Sequence, residues 1–210
     1  MAIPESRIRL GILASGSGTN LEAIAQAIND GDVAAEIAIV ISDNPKAFAL
    51  ERAKRRGILY KVVDLADFTD RPSFDREVVA ALESAHVDLV VLAGYMKLVG
   101  KEIIAAFPNR IMNIHPALLP CFPGEHVVPD ALDHGVKVSG VTVHFVDEGL
   151  DTGPIVAQEA VQVEEGDDVE SLHNRIHAAE YRVYPRAIRL FAEGRLVVDG
   201  RRVRVLPGHD

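Results

Sequence analysis

Short runs of Val, Ile and Leu alternate with amphipathic stretches through the first half of the chain. Residues 7–13, 37–42, 60–63, 89–93 and 111–114 have the length and β-branched content of buried strands. Residues 20–29, 47–56 and 73–84 carry apolar side chains at helical spacing. Strands alternating with helices of this size predict an α/β architecture: βαβ units forming a mostly parallel, twisted sheet. Right-handed crossovers then place helices on both of its faces.

The pattern changes after residue 114. Residues 115–124 hold Pro116, Pro120, Pro123 and Gly124, which predicts a loop. A short helix is expected over 126–134. Longer strands follow over 136–146 and 155–163, joined by a Gly-rich connection and expected to be antiparallel. Residues 168–193 read as a long helix kinked at Pro185, and 196–205 as a hairpin turning at Asp199-Gly200. No stretch reads as an interdomain linker. The expectation is one domain, with a core over about 7–196 and a terminal hairpin and tail over 197–210.

Composition narrows the class. At 210 residues, 48% hydrophobic and 25% charged, the chain is an ordinary globular protein. Its apolar runs are far shorter than the ~20 residues a spanning helix needs. Met1-Ala2-Ile3-Pro4-Glu5-Ser6-Arg7 lacks the basic and apolar regions of a secretory signal. The lone Cys121 suits a reducing cytoplasm. A net charge of −9 argues against nucleic-acid binding, but a few local donors can still hold one phosphate.

Such donors are suggested by Ala14-Ser15-Gly16-Ser17-Gly18-Thr19-Asn20, between the first strand and the first helix. Glycines permit a sharp turn and close approach, and a helix start offers free N–H groups. The dinucleotide fingerprint fails because Leu21 stands at its third glycine, and no Gly-Lys-Ser/Thr follows for a Walker loop. A monophosphate site and a plain tight turn with a helix cap both remain. In Asn113-Ile114-His115-Pro116, alternation puts Asn113 and His115 on one side at a strand's carboxyl end, where open α/β sheets bind ligands. The alternative is a surface loop with an incidental histidine. Asp151-Thr152-Gly153-Pro154 is either a turn cap or a carboxylate that would orient His115 and raise its pKa.

Taken together, Asn113-Ile114-His115-Pro116-Ala117-Leu118-Leu119-Pro120 and Phe122-Pro123-Gly124 resemble the signature of the folate-dependent formyltransferases. Gly16-Ser17-Gly18-Thr19-Asn20, Ala93-Gly94-Tyr95-Met96 and Leu150-Asp151-Thr152-Gly153-Pro154 extend the resemblance over about residues 8–196. It implies a Rossmann-like fold and transfer of a formyl group from 10-formyltetrahydrofolate, as co-substrate, to the amine of glycinamide ribonucleotide. Substrate phosphate then falls on Gly18, Thr19 and Asn20, and ribose on His177 and Glu180. Folate contacts fall on Arg71, on Met96, Lys97, Leu98 and Val99, on Asn113, and on Asp147, Glu148, Gly149, Leu150 and Asp151. Asn113, His115 and Asp151 become the catalytic set. A homodimer is also implied, with no metal, nucleic acid or membrane partner. Two positions depart from the pattern: His177 replaces a longer polar or basic side chain, and Pro129 replaces an expected basic residue.

The implied chemistry needs no covalent enzyme intermediate, because the substrate amine is the nucleophile. The His115 imidazolium and the Asn113 amide would stabilise the oxyanion, donors of this kind contributing about 2.7–4 kcal/mol each. Asp151 would keep His115 charged and assist proton transfer. His144, inside an alternating strand, reads as a hydrogen-bonded structural residue. Arg52, Lys54, Arg55 and Arg56 read as a solvated helix face.

Related activities fit less well. Formyltetrahydrofolate hydrolases usually carry an N-terminal regulatory domain, and methionyl-tRNA formyltransferases a C-terminal one. The first strand here begins near Arg7 and the acidic sequence runs to Asp210. A sugar-nucleotide formyltransferase and a non-catalytic nucleotide-sensing module are further alternatives.

Overall fold

A computed structural model describes residues 7–208. Residues 1–6, on which the signal-peptide expectation rests, and residues 209–210 lie outside the described residues. The chain divides into two compact units, with the boundary between Met112 and Asn113.

In the first unit, β1 (Ile8–Leu13), β2 (Ala35–Ser42), β3 (Tyr60–Val62) and β4 (Leu89–Leu92) pair in the order β3-β2-β1-β4, all parallel. The helices are α1 (Thr19–Asn29), α2 (Phe48–Arg55), α3 (Arg71–Ser84) and α4 (Lys101–Ala106). Leu10, Ile12, Leu13, Leu89, Val90 and Val91 are fully buried, as expected for parallel strands covered on both faces. Gly11 admits the α3 side chain Leu82, whose Cδ2 lies 2.4 Å from where a Cβ would sit. Asp70 caps α3 by accepting from the Ser73 N–H at 2.7 Å. The 3-10 turn Leu65–Asp67 and the six-residue α4 are absent from the sequence expectation. Both are too short to show a periodic apolar face.

In the second unit, β5 (Ile111–His115, which begins at the boundary), β6 (Val138–Phe145), β7 (Ile155–Gln162), β8 (Leu196–Asp199) and β9 (Arg202–Val205) follow the order β5-β6-β7-β9-β8. The pairs β6–β7 and β8–β9 are antiparallel, as predicted. The terminal hairpin turns over two residues, with Gly200 at φ 57. The helices are α5 (Val127–Asp133) and α6 (Val169–Ala192). A reciprocal capping box between Asp168 and Ser171 starts α6. Its Leu172, Ile176, Ala179, Val183 and Ala187 recur three and four apart and are buried, and it packs on β6 and β7. Helical residues continue on both sides of Pro185, which lacks the N–H that would bond the Tyr181 carbonyl. Pro129 occupies the first turn of α5, where a missing N–H costs no intrahelical bond. No described helix is long and apolar enough to cross a membrane.

Candidate active site

In the second unit, the end of β5 delivers Asn113 half-buried and His115 only 3% exposed. The chain then turns through Pro116, and the hydroxyl of Thr142 on β6 organises the return. It donates to the Ala117 carbonyl at 2.6 Å and accepts from the Leu119 N–H at 3.0 Å and from Gln158 Nε2 at 2.9 Å. Gln158 also donates to the Leu119 carbonyl. Phe122, at φ 51, presents its carbonyl to His115 Nε2 at 2.7 Å, and its ring meets His134 edge-on. A carbonyl only accepts, so Nε2 carries the proton.

The segment after β6 brings in the carboxylate. Asp147 Oδ1 accepts from the Gly149 N–H at 3.1 Å and from the Thr152 hydroxyl at 2.7 Å, closing the loop on itself. Asp151 sits at φ 54, and Gly153 lies so close to the Phe145 carbonyl that a Cβ there would be 1.7 Å from the oxygen. Asp151 Oδ2 accepts from the Gly124 N–H at 2.9 Å and faces His115 Nδ1 at 3.4 Å. Its Oδ1 lies 3.6 Å from His144 Nε2, which is 3.2 Å from Asn113 Nδ2. His144 Nδ1 donates to the Phe145 carbonyl at 2.9 Å, and its Nε2 faces both Asn113 and Asp151. Asn113, His144, Asp151 and His115 thus form one continuous polar chain. His144 makes the hydrogen bonds expected of it, and they tie it to Asn113 inside the cluster itself.

Burial pushes the His115 imidazole below its ordinary value. The Asp151 carboxylate and the Phe122 carbonyl raise it, but not enough to compensate. In the free protein, desolvation outweighs the Asp151 carboxylate at this separation, so the net direction for His115 is downward. Burial alone would raise Asp151, yet the His144 ring, the Gly124 N–H and His115 together hold it below the usual carboxylate range. The result is an ionised carboxylate beside an unprotonated Nδ1, a pair ready to accept one proton.

In the first unit, the glycine loop joins β1 to α1. Ser15 Oγ donates to Asp43 Oδ1 at 2.5 Å and accepts from the Met96 N–H at 2.8 Å. Asn44 Nδ2 donates to the Ser15 carbonyl, and Arg52 Nε donates to the Ser17 carbonyl at 2.8 Å. Arg52 also stacks on Phe48 and approaches Glu22. It is thus a strut of this loop rather than part of a merely solvated face. Gly18 is left-handed at φ 73, and a Cβ there would lie 2.8 Å from Ala49 Cα. No side chain caps the N-terminus of α1, whose positive dipole end suits an anion.

The same unit holds Arg71 and the 96–99 segment together, since Arg71 Nη2 donates to the Leu98 carbonyl. Met96 and Leu98 are 65% and 69% exposed, two apolar side chains presented to solvent within three residues of one another. On α6, His177 and the buried Glu180 share one face, with Nε2 and Oε2 3.9 Å apart. The His173 and His177 rings lie against one another, centroids 4.1 Å apart and tilted by 50°. Among the described residues there is no group of three or more His, Cys, Asp or Glu that could hold a metal ion. Sequence reasoning missed Thr142, Gln158 and Arg52 as organisers of these loops. Only a tertiary contact distinguishes them from ordinary strand and helix residues.

Comparison with known proteins gives a consistent picture. The formyl transferase family model matches residues 8–188. A trifunctional purine biosynthetic protein adenosine-3 of Drosophila pseudoobscura pseudoobscura is 44% identical over 196 residues, 92% of this chain. The chain spans only 14% of that protein's length. A phosphoribosylglycinamide formyltransferase of Bacillus subtilis (strain 168) is 40% identical over 86% of this chain and 93% of its own. The crystal structure of glycinamide ribonucleotide transformylase 1 from Symbiobacterium toebii superposes with a TM-score of 0.94 at 55% identity, covering 96% of this chain and 95% of that one. A formyltetrahydrofolate deformylase from Pseudomonas syringae pv. tomato str. DC3000 has a TM-score of 0.90 at 28% identity. It covers 97% of this chain and 67% of its own.

Proposed function

The chain belongs to the formyl transferase family, and on that footing we propose that it moves the formyl group of 10-formyltetrahydrofolate onto the amine of 5'-phosphoribosylglycinamide. The products are formylglycinamide ribonucleotide and tetrahydrofolate, a step of purine biosynthesis. The observation that carries this reading is the polar chain Asn113–His144–Asp151–His115, in which amide, imidazole and ionised carboxylate converge.

The amine lone pair attacks the formyl carbon, and the carbonyl π electrons move onto oxygen. The Asn113 amide and the His115 Nε2–H donate to that oxygen, the latter in exchange for the Phe122 carbonyl. Donors held in place before the charge develops stabilise it without reorganising. The proton lost by the amine passes, through water, to the Asp151 carboxylate, with His115 Nδ1 sharing the charge. Collapse of the tetrahedral species breaks the bond to the folate nitrogen, which takes a proton back from the same pair. Cys121 takes no part. The uncapped start of α1, with Gly18, Thr19 and Asn20, accepts the substrate phosphate, while His177 and Glu180 take the ribose. Arg71, residues 96–99 and residues 147–151 hold the folate.

Water as the acceptor, the deformylase reaction, is less well supported: that likeness is 28% identical, against 55% for the transformylase. Folate product is followed by absorbance with and without the ribonucleotide amine, for the wild type and His115→Ala. Amine-dependent turnover that collapses in the variant supports the transferase. Equal turnover without amine overturns it.

A further inference from the structure

Asp75, on α3, is fully buried and has no part in the chemistry above. Its Oδ1 accepts from Arg71 Nε at 2.7 Å, one helical turn back. Arg71 spans the gap from there to the 96–99 segment, because its Nη2 donates to the Leu98 carbonyl and its guanidinium lies over the Phe74 ring. Asp75 Oδ2 meets no hydrogen-bond donor. It lies against Gly100, where a Cβ would be 1.5 Å from this oxygen. Gly100 has φ −81 and ψ 166, a conformation open to any residue. Its lack of a side chain is therefore a matter of room for Asp75, not of backbone strain. Gly100 also begins α4, immediately after Val99.

Burial raises the Asp75 carboxyl above its ordinary value; Arg71 works against this, and Glu102 adds to it. A buried carboxyl with one oxygen unsatisfied is costly, and an apolar residue at this α3 position would avoid that cost. We propose that Asp75 is a positioning residue for reduced folate. One oxygen aligns Arg71 on the Leu98 carbonyl and the other abuts Gly100, so that the C-terminal half of the 96–99 segment is fixed, while Ser15 Oγ holds its start at the Met96 N–H. This rests on the reading of 96–99 as folate-binding. The exposed Met96 and Leu98 then form a preset apolar surface for the ligand instead of a segment that must be ordered on binding.

The test is equilibrium titration with tetrahydrofolate together with steady-state kinetics, on the whole chain, for Asp75→Ala, Asp75→Asn, Gly100→Ala and the double variant D75A/G100A. In Asp75→Ala, folate affinity should weaken about tenfold with kcat within about twofold, while KM for the ribonucleotide amine stays put. Asp75→Asn keeps an acceptor for Arg71 and should restore most of the loss. Gly100→Ala should reproduce the defect alone, yet cost nothing further once Asp75 is Ala, since the Cβ then fills the vacated space. Should Asp75→Ala not fold, Asp75→Asn and Gly100→Ala carry the same comparison. Unchanged folate affinity in Asp75→Ala or Gly100→Ala, or equal weakening toward both substrates, overturns the positioning role. A wild type that binds no tetrahydrofolate overturns the functional reading along with it.

Discussion

His115 gives its Nε2 hydrogen to the Phe122 carbonyl across 2.7 Å, while its Nδ1 faces Asp151 at 3.4 Å. On the proposed mechanism this carbonyl occupies the direction in which the ring donates to the developing oxyanion, so substrate oxygen replaces an existing acceptor and the ring arrives with its tautomer already set. Replacing His115 by Ala removes that donor and the proton-sharing Nδ1 together. The expected fall in kcat is at least about a hundredfold, nearer a thousandfold if both functions act in one step. Single-turnover measurements at saturating substrates check this. A loss below about threefold would leave His115 without a catalytic part.

The pH dependence has a definite sign. Burial holds His115 below its ordinary 6.5, and the Asp151 carboxyl also lies below its ordinary 3.8. Both groups are in their proton-accepting form at neutral pH. The profile of kcat/KM should be flat on the alkaline side and fall only as the solution is acidified through the His115 value, below 6.5. The stability that His115 contributes runs the same way. It is complete above the unfolded-state value and lost as pH falls to the lower folded-state one. A rate that declines as pH rises through neutrality would instead identify the imidazolium as the active form.

Thr142 illustrates a residue whose importance is purely tertiary. Its hydroxyl serves the Ala117 carbonyl, the Leu119 N–H and Gln158, all at 3.0 Å or less. Thr142→Val keeps the shape and strands buried partners, which costs about 1–3 kcal/mol per group left unpaired. With the Ala117 carbonyl and the Leu119 N–H both left unpaired, chemical denaturation should show a loss of about 2–6 kcal/mol. Activity should fall as well, because the segment after His115 loses its anchor. A variant as stable as the wild type would show that the loop is held elsewhere.

Gly18→Ala tests the phosphate loop. The left-handed backbone costs a side chain about 1–2 kcal/mol, and the new Cβ would press on Ala49. The melting temperature should drop. KM for the phosphorylated amine should rise about tenfold or more while KM for folate is unchanged. Equal KM for the amine would remove the loop from substrate binding.

Much of this was legible in the sequence because it is local. β4 betrays itself as the unbroken run Leu-Val-Val-Leu, and the hairpin by its Gly200, although the turn is Gly200-Arg201 and Asp199 still pairs with Arg202. Asn113 and His115 fall on one side by strand alternation. What was not legible depends on contacts remote in the chain. α4 is too short for a period, and Arg52 looks like any helix-surface arginine until Ser17 is seen beneath it. The direction of the His115 shift is the sharpest case. A nearby carboxylate can be expected from motif spacing, but whether it outweighs burial is decided by the depth of the pocket and a 3.4 Å separation.

The most direct measurement follows the formyl carbon itself. The protein is mixed with 10-formyltetrahydrofolate carrying a carbon-13 formyl group and with the ribonucleotide amine, and the label is located by NMR. The expected result is label in the formamide of the ribonucleotide, in step with tetrahydrofolate release and almost absent with His115→Ala. Label appearing as free formate at the same rate, with or without the amine, would contradict the transferase and identify a hydrolase.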